Sequence, residues 1–108
     1  MRDTYEELGL YYGMDGQKLT REEWIKVFED PNGRRVALDV LPNGFKVSTV
    51  LLGIDHSFGF GGPPVIFETM VFPGNDMERY STKEEALEGH KRMVEKYCNA
   101  KPGEVQND

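Results

Sequence analysis

Apolar positions along this chain follow two periods, and the periods predict its elements. Trp24, Ile25 and Phe28 recur at the i, i+1, i+4 spacing of a helical stripe, with Arg21, Glu22, Lys26 and Glu29 around the rest of the surface. Thr20 followed by Glu23 is a capping box, and Leu19 just before it is placed to staple onto Trp24. Asp30-Pro31-Asn32-Gly33 ends the run, since proline cannot extend the hydrogen-bond ladder, so the first helix spans about residues 21–29. A longer stripe of Ala86, Leu87, His90, Met93, Val94 and Tyr97 follows a second capping box, Thr82 with Glu85, and predicts a last helix ending near Cys98-Asn99. Its opposite side carries Glu84, Glu88, Lys91, Arg92, Glu95 and Lys96, a solvated face.

Between the helices the period shortens. Three strand-like runs cover residues 34–41, 45–54 and 65–72, and Pro42-Asn43-Gly44 joins the first two as a tight turn with glycine in the left-handed position. In the first run Val36, Leu38 and Val40 alternate with Arg35, Ala37 and Asp39, which predicts that the former set is buried. The run Val47-Ser48-Thr49-Val50-Leu51-Leu52 is apolar on both faces, as in a central strand covered on both sides or covered by a partner molecule. Val65 to Phe72 is similar, with one acid, Glu68, in its middle. Ahead of the first helix, Leu10-Tyr11-Tyr12, a turn at Asp15-Gly16 and Lys18-Leu19 make a small hairpin or an irregular lead-in. The predicted fold is α+β in the order β-α-β-β-β-α: a three-stranded antiparallel meander with its second strand central, room for an extra short N-terminal strand, and two helices packed on it.

Length and composition narrow this to one domain over residues 1–108, with ends at about 1–9 and 100–108 expected to be loosely ordered. Twelve aromatics (6 Phe, 5 Tyr, 1 Trp) are too many for a disordered chain. Thirteen Lys and Arg against 19 Asp and Glu give a net charge of −6, which disfavours binding to nucleic-acid phosphates. Much of that acidity lies in capping-box glutamates, on outer helix faces and in the tails, so it does not argue for nucleic-acid mimicry. No apolar run approaches the roughly 18 residues of a membrane span, and no secretory apolar region opens the chain; a cytoplasmic location is expected. The one cysteine, Cys98, has no internal disulfide partner, and two histidines are too few for a Cys/His zinc cluster. Neither metal nor cofactor is expected.

The chemistry-bearing candidates are few. The ten-residue connection from Asp55 to Pro64 has neither the Lys-Ser/Thr pair nor the following helix that a phosphate cradle requires. Its glycines allow Phe58 and Phe60 to fold back over the core edge, the favoured reading, or to meet a ligand or partner. Glu68 shares a strand face with Ile66, Met70 and Phe72 and needs a partner among Arg34, Arg35, Arg79, His56 and His90; a salt bridge orienting the last helix is favoured over a catalytic role. His90, within an apolar stripe, reads as a core histidine. His56 adjoins Asp55, yet neighbours on an extended chain point to opposite sides. No nucleophile elbow is present, and Ser48, Thr49, Ser57 and Thr69 are hydroxyls without a visible base.

One resemblance bears on function. Asp15-Gly16 with Glu23-Trp24, Val47-Ser48-Thr49-Val50-Leu51-Leu52-Gly53-Ile54-Asp55-His56, Pro63-Pro64 with Phe67-Glu68-Thr69-Met70-Val71-Phe72, and Arg79-Tyr80-Ser81-Thr82-Lys83-Glu84-Glu85-Ala86 with Gly89-His90 form an ordered set over about residues 11–94. This set resembles an uncharacterised family of small proteins encoded by bacteriophages and actinobacterial genomes, with Leu51 where the family pattern leads one to expect tryptophan. The resemblance implies an accessory phage role. The function expected from it is binding: engagement of a host protein, to counter host defence or modulate host function, by Asp55, His56, Phe58, Phe60, Glu68, Arg79 and His90. The alternatives are sequestration of a small nucleotide, with an arginine on phosphate and an aromatic on the base; a small hydrolase using a His/Glu pair; and a self-assembling structural or virion-associated protein, a homo-oligomer through the sheet face.

Overall fold

The computed structural model describes residues 11–30, 32–57, 62–74 and 76–100; the predicted loose segment 1–9 and residues 101–108 of the tail lie outside the described residues. Two residue pairs, β1 (Tyr11–Tyr12) and β2 (Lys18–Leu19), form an antiparallel hairpin. Gly16 makes its turn at φ 83°, a conformation that glycine reaches without strain. Helix α1 (Arg21–Glu29) starts at the predicted capping box, with Thr20 Oγ1 accepting from Glu23 N and Glu23 Oε1 accepting from Thr20 N. Then come β3 (Arg35–Val40), β4 (Lys46–Leu51), β5 (Phe67–Phe72), β6 (Met77–Tyr80) and helix α2 (Lys83–Tyr97), itself capped by the Thr82 and Glu85 box.

The architecture is α+β, but the sheet differs from the predicted one. It is a four-stranded antiparallel meander in the order β3-β4-β5-β6, with the β1-β2 hairpin as a separate two-stranded piece. Strand β6 escapes a pattern reading because it is four residues long, contains Glu78 and Arg79, and runs almost directly into the α2 cap. The two helices also do not share the sheet equally. Helix α2 packs across all four strands, whereas α1 packs mainly on β1 and β2 and reaches the core cluster of Leu51, Ile66 and Phe67 through Val27. There, Tyr11, Trp24 and Phe28 stack at centroid separations of 4.8 and 4.2 Å, and the Arg34 guanidinium lies 4.3 Å above the Phe28 ring. Gly53, at φ 79°, passes so close to the indole that a Cβ would lie 2.3 Å from Trp24 Nε1.

Period-two alternation sends one set of side chains from each strand towards α2. Val47, Thr49 and Leu51 of β4 and Phe67, Thr69 and Val71 of β5 are fully buried there. Two apolar clusters result: Phe45, Val47, Val71, Met93 and Tyr97 at one end of the helix, and Leu51, Ile66, Phe67, Tyr80 and Ala86 at the other. Between them lies a buried polar layer of Thr49, Thr69 and His90.

Strand β3 reverses the predicted faces. Its register against β4 shifts between Arg35, opposite Val50, and Ala37, opposite Thr49. This bulge leaves Val36 against the core but turns Ala37 and Asp39 to the α2 side, and Leu38 and Val40, 37% and 71% exposed, to the other. A single extra residue thus inverts the alternation downstream of it. Finally, Asn43 in the β3–β4 turn donates from Nδ2 to the carbonyls of Tyr97 and Ala100, each at 2.7 Å, satisfying helix-end acceptors. Ala100, predicted to belong to the loose tail, packs against the core as a consequence.

Candidate interaction surface

Asp55 holds the base of its loop rather than presenting a carboxylate. Oδ1 accepts from the Ser57 and Val65 amides at 2.8 Å each, and Oδ2 accepts from Ser57 Oγ at 3.0 Å. Burial pushes this carboxyl up, but the hydrogen bonds and the neighbouring His56 outweigh it and hold it below the usual 3.8. His56 donates its amide to Val65 O, and its Nδ1 lies 2.7 Å from Ile54 O; a carbonyl only accepts, so Nδ1 carries the proton. Phe58 and Phe60 lie outside the described residues.

Glu68 does find a predicted partner: Arg79 Nε donates to Oε2 at 2.9 Å. The pair ties β5 to β6 at directly opposed positions, on the face away from α2, so it does not orient the last helix as predicted. His90 lies on the other side of the sheet. No His90–Glu68 pair exists, and the described ones among the expected residues do not line one surface.

His90 instead anchors a hydrogen-bonded chain through the core. Its Nε2 lies 2.8 Å from Asp39 Oδ2 and its Nδ1 2.7 Å from Thr49 Oγ1. Thr49 Oγ1 bonds Thr69 Oγ1, which lies 3.1 Å from Tyr80 Oη; that hydroxyl is also 2.9 Å from Glu78 Oε1, itself paired with Arg92 Nη2. Burial pushes the Tyr80 phenol up to about 12. Asp39, His90 and Thr49 reproduce an acid–imidazole–hydroxyl order, so Thr49 has the base that was not visible in the sequence. Yet Thr49 is fully buried and its oxygen is committed to Thr69, so no substrate carbonyl reaches it. The chain is structural. One signal for it was available: Thr49, Thr69 and His90 each occupy an inward position of an otherwise apolar face.

The second face of the sheet has a different character. Registers place its outward side chains in three rows: Val40, Lys46 and Phe72; Leu38, Ser48, Met70 and Met77; Arg35, Val50, Glu68 and Arg79. Phe72 and Met77 are 42% and 43% exposed, joining Leu38 and Val40. Two rows are therefore largely apolar and the third is charged. Lys46 Nζ lies 5.3 Å from the centre of the Phe72 ring, so the cation borders the apolar rows. Sequence reasoning missed Leu38, Val40 and Met77, because the bulge and the fourth strand place them there.

No family model, no curated protein and no solved structure matches the chain. Among the described residues, no group of three metal-ligating side chains comes together, and no helix is long and apolar enough to cross a membrane.

Proposed function

We propose that this protein acts by binding another protein through the open face of its four-stranded sheet. The observation that carries the proposal is the exposure of Leu38, Val40, Phe72 and Met77 in two adjacent rows of one sheet face, on either side of Lys46 and Ser48, while the folding core lies on the opposite face beneath α2. Isolated exposed apolar residues are ordinary, but a clustered set on a flat strand surface costs hydration free energy that contact with a partner recovers. The Thr49–His90–Asp39 array is closed to solvent at its hydroxyl, which favours binding over hydrolysis. The resemblance to phage proteins supports an actinobacterial host protein as the partner, engaged to counter defence or to redirect a host process.

Site-specific photocrosslinking in actinobacterial lysate tests this reading. Benzoylphenylalanine at Val40 or Met77 is expected to yield a discrete adduct, and the same group at Lys91 on the outer face of α2 is expected to yield none. Equal yields from both faces, or adducts from α2 alone, contradict it.

A further inference from the structure

We infer that the partner, on the reading that the open face binds protein, presents an amphipathic helix whose apolar stripe is bordered by carboxylates. Dimensions favour a helix. Four strands spaced about 4.8 Å apart make a face about 14 Å across, and a helix with its side chains is about 10–12 Å in diameter. One helix therefore covers the exposed rows, and this fold already uses that mode on the other side, where α2 spans β3 to β6.

Charge selects the kind of helix. The open face carries Arg35, Lys46 and Arg79 against the single carboxylate Glu68, on a chain whose net charge is −6. Glu68 is committed to Arg79. Neither Arg35 nor Lys46 has a carboxylate within ion-pair distance among the described residues. They lie at opposite ends of the face, Arg35 in the charged row and Lys46 beside Phe72, with the Leu38–Ser48–Met70–Met77 row between them. On the covered face, by contrast, α2 brings Arg92 to Glu78 and Lys96 to Asp76, so the β6 edge of that helix–sheet contact is ion-paired. The open face has the apolar middle and the cations of such a contact and lacks the acids. A second copy packed open face to open face supplies the wrong sign, because the same cations then face one another. A helix with Leu, Ile or Phe along one stripe and Glu or Asp flanking it supplies both missing parts.

The test is an NMR titration of the intact protein with three designed 18-residue helical peptides that share one leucine stripe and carry Glu, Gln or Lys beside it. The Glu peptide is expected to shift the amides of β3 to β6 and to bind about tenfold more tightly than the Lys peptide, with the difference shrinking as salt screens it. Charge reversal by Arg35→Glu and Lys46→Glu, both at exposed positions, is expected to invert the order while the rest of the spectrum stays folded. Equal binding of all three peptides overturns the acidic partner and leaves the open face standing as a protein-binding surface. Shifts from none of them overturn both. Tighter binding of oligothymidine or of phosphatidylglycerol vesicles than of the Glu peptide overturns the protein partner in favour of a polyanion.

Discussion

Individual residues here divide sharply by what surrounds them. Glu68 and Arg79 form a partly exposed pair between neighbouring strands, of a kind worth about 0–1 kcal/mol. Thr49 is a smaller group with a larger burden, because its one hydroxyl serves both His90 Nδ1 and Thr69 Oγ1 at a fully buried position. Thr49→Val keeps the shape and deletes the hydroxyl, leaving the buried His90 Nδ1 without this partner and Thr69 Oγ1 with Tyr80 alone. It is expected to lower the unfolding free energy by about 1–3 kcal/mol in urea titrations, and a change below about 0.5 kcal/mol contradicts the account of the buried chain. Proton direction in that chain is also constrained. Tyr80 has one hydroxyl proton and two acceptors, Thr69 and Glu78. When the His90 ring donates only from Nε2, to Asp39, Nδ1 accepts from Thr49 and Thr49 accepts from Thr69, while the one Tyr80 proton is shared between Thr69 and Glu78. At this scale the sequence was legible for His90 as a core residue and for Arg79 only as one of five candidate partners of Glu68. It was not legible for Asp39, whose inward direction depends on the bulge at Val36.

At the scale of elements, both helices were readable because their signals are local. Each capping box lies within four residues, and both boxes close in the structure. Sheet width and strand facing were less readable, because they depend on pairings between distant segments. Met77–Tyr80 becomes a strand through its register with Phe67–Met70, not through any apolar run of its own. Gly89 is a second long-range effect. A mid-helix glycine ordinarily costs about 1 kcal/mol relative to alanine, yet here a Cβ would lie 2.1 Å from Tyr80 Oη. The ring has little freedom to retreat, being buried and held by Thr69 and Glu78. Gly89→Ala is therefore expected to destabilise the protein by about 1–3 kcal/mol despite its better helix propensity, and an increase in the thermal midpoint contradicts the packing described.

The joint between α2 and the sheet edge also sets an acid dependence. Hydrogen bonds from Lys96 Nζ and Tyr97 Oη, each at 2.7 Å, hold the Asp76 carboxyl below its usual 3.8. A carboxylate with a depressed folded value contributes stability that is fully present above its ordinary value and is lost as pH falls through the folded one. The stability difference between the protein and Asp76→Asn should thus be constant above about pH 5 and close as pH falls below the usual carboxylate range. A difference that widens with acid contradicts this assignment.

For the molecule as a whole, the two faces of one sheet do different work. One is sealed by α2 over two apolar clusters with a polar layer between them, and the other carries apolar rows bordered by cations. The sequence did hint at this division. Val47 to Leu52 reads as apolar on both sides, more than one covering helix accounts for, although the exposed residues turn out to belong mostly to the flanking strands. The methionines mark the division without any substitution: Met70 and Met77 point to the open face, whereas Met93 projects from α2 into the core on the covered face. The most direct measurement is a methyl spectrum of the protein, labelled at the methionine methyl carbons, with and without actinobacterial lysate. The account predicts that the Met70 and Met77 signals shift or broaden while Met93 holds its position. Unchanged Met70 and Met77 signals, or changes confined to Met93, would contradict it.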